Sequence, residues 1–213
     1  MKRKFITNFA LIFFLNLVVK TFWMFGIDRG VQNNVGAEEY GLYFSLLSLS
    51  ILLNILLDAG ITNFNNRSIA QNNGLLTEHL SKIVPLKFLL SVIYALFVLG
   101  IGFILGYSQR QFNILWVLII NQFLLSFILY LRSNISGLHL FRTDSFLSVL
   151  DRFLVIIICS LLLWTNIGGA EFKIEWFVYS QTLAYSLAAL IIFIVVFIRS
   201  GKIRLQFPLK YGW

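Results

Sequence analysis

Apolar residues in this chain come in long blocks rather than at a short helical or strand period. Six blocks stand out, at about residues 5–27, 40–62, 84–107, 112–134, 146–165 and 175–198, with polar stretches between them. Each runs ~20–24 residues, which at ~1.5 Å rise per residue crosses a hydrocarbon layer ~30 Å thick. Such blocks predict helices. An open strand edge in lipid would leave backbone groups unpaired, and the ~10-residue alternating segments of a membrane barrel are missing. Most connections are short, so consecutive helices should be antiparallel neighbours. The stretch "TNFNNRSIAQNNGLLTEHLSK" between the second and third blocks is polar and rich in Asn. It predicts a short helix outside the membrane, with Gly74 and Thr77 as stop and restart and Thr77 as an N-cap.

Composition points to the same solvent. The chain is 59% hydrophobic and 12% charged, where soluble domains have about 45–50% and about 25%. The net charge of +8 would suggest a nucleic-acid partner in a soluble protein. Here its distribution gives a simpler account. Lys2, Arg3 and Lys4, then Arg67 and Lys82 with Lys87 just inside the third block, then Arg132, Arg142 and Arg152, then Arg199, Lys202, Arg204 and Lys210 fall on one side of the six blocks. The other side holds only Arg29, Arg110 and Lys173, beside Asp28, Glu38, Glu39, Glu171 and Glu175. That asymmetry places both termini in the cytoplasm and argues against nucleic acid.

Catalytic and cofactor chemistry has no foothold. Cys159 is the only cysteine, so neither a disulfide nor a Cys/His metal spacing arises. A zinc helix, a phosphate-binding Gly loop and a nucleophile elbow are all missing. The expectation is a protein that is not an enzyme and holds no cofactor.

Polar residues inside the blocks are the site candidates, because burying them in lipid is expensive. Asn16 and Lys20 share a face of the first helix, and Ser50, Asn54 and Asp58 continue that spacing on the second. Asn121, Gln122 and Ser126 lie in the fourth; Ser180, Gln181, Tyr185 and Ser186 in the sixth. Turned inward, these stripes would surround a hydrated cavity. Lys20 reads either as a cavity-lining cation or as a side chain snorkelling to the headgroups. Asp58 reads as a helix-end residue meeting Arg67 or water, or as a proton or cation site, and it is counted as the single intramembrane carboxylate. A Lys20–Asp58 pair is excluded by depth, ~22 Å and ~27 Å along antiparallel helices. The amides read as ligands or as interhelical glue. Trp23, Trp164, Trp176 and Tyr43 suit interfacial belts, Cys159 suits packing, and His79, His139 and the Glu38–Glu39 pair read as solvated.

The stretch "NNVGAEEYGLYFSLLSLSILLNILLDAGI", residues 33–61, carries a resemblance. Gly36, Glu38, Glu39, Tyr40 and Gly41, then an apolar helix, then Asp58 and Gly60 resemble the first loop and second helix of polysaccharide flippases. These form the O-antigen and exopolysaccharide branch of the multidrug/oligosaccharidyl-lipid/polysaccharide transporter superfamily. "NNRSIAQN" (65–72) and "KTFWMFGIDRGVQN" (20–33) extend the resemblance. It implies an all-α integral membrane protein, with six transmembrane helices forming one lobe of a two-lobe MATE-like fold. Residues 1–198 would be that lobe, and 199–213 a cytoplasmic linker towards a second lobe, in a truncated or partial product. It also implies movement of a lipid-diphosphate-linked oligosaccharide, of the undecaprenyl kind, across the bacterial inner membrane by alternating access. The partners would be that lipid-linked cargo, membrane lipid, and a second lobe or a homodimer. Cationic flippase cavities would put Lys20, Asn16 and Arg29 at the outward part of the cavity and Arg67 and Arg132 at its cytoplasmic ends. Asn54, Asp58, Asn121, Gln122 and Gln181 complete the candidate set. Two competing readings stay open: a drug or small-solute exporter of the same superfamily, and a non-transporting scaffold of a polysaccharide synthesis complex.

Overall fold

The computed structural model describes residues 14, 16–164 and 172–200, and among these it is all helical, with no strand. Residues 5–13 and 15 of the first expected span lie outside the described residues, as do Lys2, Arg3, Lys4, Glu171, Lys202, Arg204 and Lys210.

Residues 16–22 are helical and pass into a π-helical turn, Trp23–Asp28, and then α1, Arg29–Val35. Gly36 turns the chain at φ 84°, a conformation that glycine adopts without a Cβ clash. The second apolar block is not one rod. It forms α2 (Ala37–Leu52), α3 (Ile55–Asp58) and α4 (Ile61–Gln71), bent by 42° overall. Leu53 and Asn54 interrupt the first junction. Ala59 at φ 44° and Gly60 at φ 85° end α3 in left-handed geometry, a common way to stop a helix.

The polar linker also differs from the expectation. Asn72, not Thr77, supplies a cap: its side chain accepts from Gly74 N–H and opens the 3-10 turn Asn73–Leu75. Helix α5 (Leu76–Ile104) follows directly, well before the apolar block begins. Ser108 and Gln111 form a capping box that starts α6 (Gln109–Gly137). Next come α7 (Phe141–Trp164) and α8 (Ile174–Arg199). By length and composition, helices α5 to α8 are long and apolar enough to cross a membrane, and the bent run α2–α4 adds a fifth if it is counted as one span. The chain is thus a multi-pass membrane protein.

Helix α6 is the hub. It packs against α8, α4, α2, α5 and α7, and is the most buried of the four long helices. Gly137 lets α4 approach it: a Cβ there would fall 2.9 Å from Ile69 Cβ and 3.0 Å from Asn66 O. Buried Asn65 donates to Ser133 Oγ at 2.7 Å and Asn134 Oδ1 at 3.1 Å, and its Oδ1 meets His79 Nδ1 at 2.9 Å. His79, expected in solvent, is instead half-buried and stacked on Phe64. The outer surface is studded with exposed Phe, Leu and Ile, among them Phe97, Phe103 and Leu190, as lipid contact requires.

Candidate functional site

A cleft of about 280 Å³ opens between the π-helical turn, α2, α6, α7 and α8. Its wall is a mixture of aromatic rings and polar groups. Tyr43, expected at the interface, is buried and accepts from Gln181 Nε2 at 3.1 Å. Trp23 stacks on Phe177 with ring centroids 5.8 Å apart, and Tyr43 meets the same ring edge-on. Tyr40 Oη donates to Asp28 Oδ1 at 2.8 Å. Helix α6 contributes Asn121 and Gln122 near its middle. Asn121 donates to Val178 O at 3.3 Å, yet its buried Oδ1 meets no hydrogen-bond partner among the described residues. Burying an unsatisfied acceptor is costly, so such an atom marks a place where a donor belongs.

Asp151 and Arg152 supply the charge. Both line the cleft from the interior of α7, Asp151 ten residues (~15 Å) past its first residue. Neither closes an ion pair within 4 Å among the described residues. A charged side chain within a span that is held in no ion pair is a functional candidate by default. This corrects two expectations. Asp58 is not the single carboxylate in the spans, and Arg152 is not simply a flanking charge.

Of the expected site residues, the cleft gathers Asn121, Gln122 and Gln181. Asn54 reaches it indirectly, donating to Gln122 Oε1 at 3.3 Å. Asn16 donates to Ser148 Oγ on α7 at 3.3 Å. Lys20, Arg29 and Arg67 are exposed and none of them lines the cleft. Arg132 is held by Asp144 of α7 at 2.9 Å. Asp58 pairs with neither Arg67 nor water alone; it accepts from Lys87 Nζ at 2.6 Å and from Thr62.

Lys87 is the residue that sequence reasoning misplaced most. It is 1% exposed, and also donates to Leu57 O and to Ser126 Oγ, each at 2.9 Å. Counted from the apolar block it looks like an end charge. Counted from the real start of α5 it lies eleven residues, or ~16 Å, inside. At the opposite end, Arg110 binds both carboxylate oxygens of Glu39 (2.7 and 2.6 Å) and Glu175 (2.9 Å), joining the starts of α2, α6 and α8. Cys159 is buried against Ser180. Among the described residues no cluster of His, Cys, Asp and Glu is suited to a metal ion.

Compared with protein families, residues 30–211 match the one described as polysaccharide biosynthesis protein. No curated protein and no solved structure matches the chain.

Proposed function

Because the chain belongs to the polysaccharide biosynthesis protein family, we propose that it moves a lipid-diphosphate-linked oligosaccharide across the bacterial inner membrane by alternating access. The observation that carries this reading is that Asp151 and Arg152, in no ion pair among the described residues, line a polar cleft within the membrane-crossing helices. Amides, tyrosine hydroxyls and a carboxylate suit sugar hydroxyls, and Trp23 offers an apolar ring to a sugar face. The cleft's charges are Asp28, Asp151 and Arg152, so it suits the saccharide better than the diphosphate. The diphosphate would meet Lys20, Arg29, Arg67 and Arg132 outside it. A second lobe or a second copy would face this one across the cargo, and the two would rock around it, like other repeat-built transporters. The reaction is transport, with no bond made or broken.

One observation favours an exporter of small cationic solutes: the cleft carries two carboxylates against one guanidinium. The test is the same for both. The protein is reconstituted into vesicles with a fluorescent undecaprenyl-diphosphate oligosaccharide, and the fraction quenched from outside is followed. We expect the protected fraction to equilibrate faster with protein, and Asp151→Asn and Arg152→Gln each to slow it at least tenfold. If the lipid-linked sugar stays put while a cationic dye is carried, the exporter reading replaces ours.

A further inference from the structure

The second span is broken twice, and α5 meets both breaks. At the first, Asn54 N–H turns to Ile51 O at 3.0 Å, one residue short of the usual helical partner. The carbonyl thus left over, Ser50 O, accepts from Tyr94 Oη at 2.8 Å. At the second, Ala59 and Gly60 leave the helical path, and Leu57 O accepts from Lys87 Nζ at 2.9 Å, with Ser126 Oγ at 3.3 Å. Ser50 and Leu57 are one heptad apart, and so are Tyr94 and Lys87, in the antiparallel order. Two donors on one face of α5 therefore match two orphan carbonyls on the broken span. Both donors are fully buried. In lipid a carbonyl without a partner is expensive, so a broken span persists only where something else satisfies it.

What these breaks orient is the cleft wall. Beyond the second break, α4 is clamped to α6 by Asn65 and by the close approach at Gly137. Before the first, α2 carries Tyr40, Tyr43, Phe44, Leu47 and Ile51 into the cleft. With α4 fixed, the direction of α2 follows from the geometry of the two breaks. We infer that Lys87 and Tyr94 are positioning residues: by holding both breaks open they set the angle at which α2 presents its face to the cargo, an inference that rests on the cleft being the transport site. Without them, the cheapest partner for each carbonyl is the backbone N–H four residues on. The span then straightens and α2 turns away.

Pulsed spin-label distances test this on the full chain in lipid nanodiscs, with labels at the exposed positions Glu38 and Gln71 and with Cys159→Ala to leave no other thiol. Straightening a 42° bend between arms of roughly 24 Å lengthens that distance by about 3 Å. Lys87→Met and Tyr94→Phe should each move it outward, and the double variant furthest. Asp58→Asn, which keeps both donors on their carbonyls, should leave it at the wild-type value. A merely structural ion pair would predict the reverse order. Tyr94→Phe removes a single oxygen and keeps the test open should Lys87→Met fail to fold. Unchanged distances in folded Tyr94→Phe and Lys87→Met would overturn the inference. The measurement uses no substrate, so a wild-type protein that fails to move lipid-linked sugar refutes the proposed function alone.

Discussion

A lysine enclosed among apolar helices is stable only through its contacts. Lys87 has a carboxylate, a carbonyl and a hydroxyl within 3 Å, and the Tyr130 ring 6.0 Å away. Removing one partner of a buried pair costs about 3–5 kcal/mol, because the other charge is left stranded, whereas replacing both with apolar groups is often near neutral. Lys87→Met should therefore lower the unfolding temperature of the solubilised protein markedly. Lys87→Met with Asp58→Leu should recover much of the loss, the orphan Leu57 carbonyl accounting for the remainder. Equal losses in the single and double variants would show that the ion pair is not what stabilises this corner. At this scale the amides were legible: Asn121, Gln122 and Gln181 stand out in apolar blocks and do line the cleft. Lys87 was not, because just inside the edge of an apolar block a charge reads as an end charge, while its helix starts eight residues before the block. Asp151 lies inside the fifth block and is passed over, because an aspartate next to an arginine draws no notice until the cleft shows both facing it.

Among the elements, α6 decides how the others sit. Its last turns admit α4 only because position 137 has no side chain. Overpacking a tight contact costs typically about 1–3 kcal/mol, so Gly137→Ala should destabilise by that order. The measurement is thermal or chemical unfolding, and Gly100→Ala, where a Cβ would meet nothing within 4 Å, is the control. A Gly137 variant as stable as the control would mean that α4 can slide. Apolar length alone made α5 to α8 legible, since nothing else explains runs of that size. The break in the second span was hidden. "LLNILLDAG" keeps the hydropathy of a span, and the donors that make interruption tolerable sit on another helix, some 30–44 residues away in the sequence.

For the molecule as a whole, the solvent was legible from composition and the family from one loop and helix. The inward cation cluster was not borne on the cleft. Hydropathy says which residues lie at membrane depth, but not which of them face a neighbour. The excess of Lys and Arg on one side gives the expected orientation. The start of α7, with Arg142, should then lie in the cytoplasm, and Lys173, just before α8, outside. Single cysteines at those two positions, in the Cys159→Ala background, should react with a membrane-impermeant thiol reagent from opposite sides of intact spheroplasts: Lys173→Cys directly, Arg142→Cys only after lysis. The opposite pattern would invert the protein and with it the inward and outward ends of the cleft.

The π-helical turn at Trp23–Asp28 holds a quieter consequence. An ordinary helix brings residue 27 back beneath residue 20 after two turns, within about 20°. Here Ile27 is buried while Lys20 is exposed. A widened turn shifts the phase of everything before it, as a single extra tooth does on one side of a gear. A π turn closes over one residue more than an α turn, so losing one residue between Lys20 and Ile27 would tighten it to α geometry and leave the leading helix close to its present phase. Lys20 would keep its outward face, and the turn is a place where the chain can gain or lose a residue without re-aiming what precedes it.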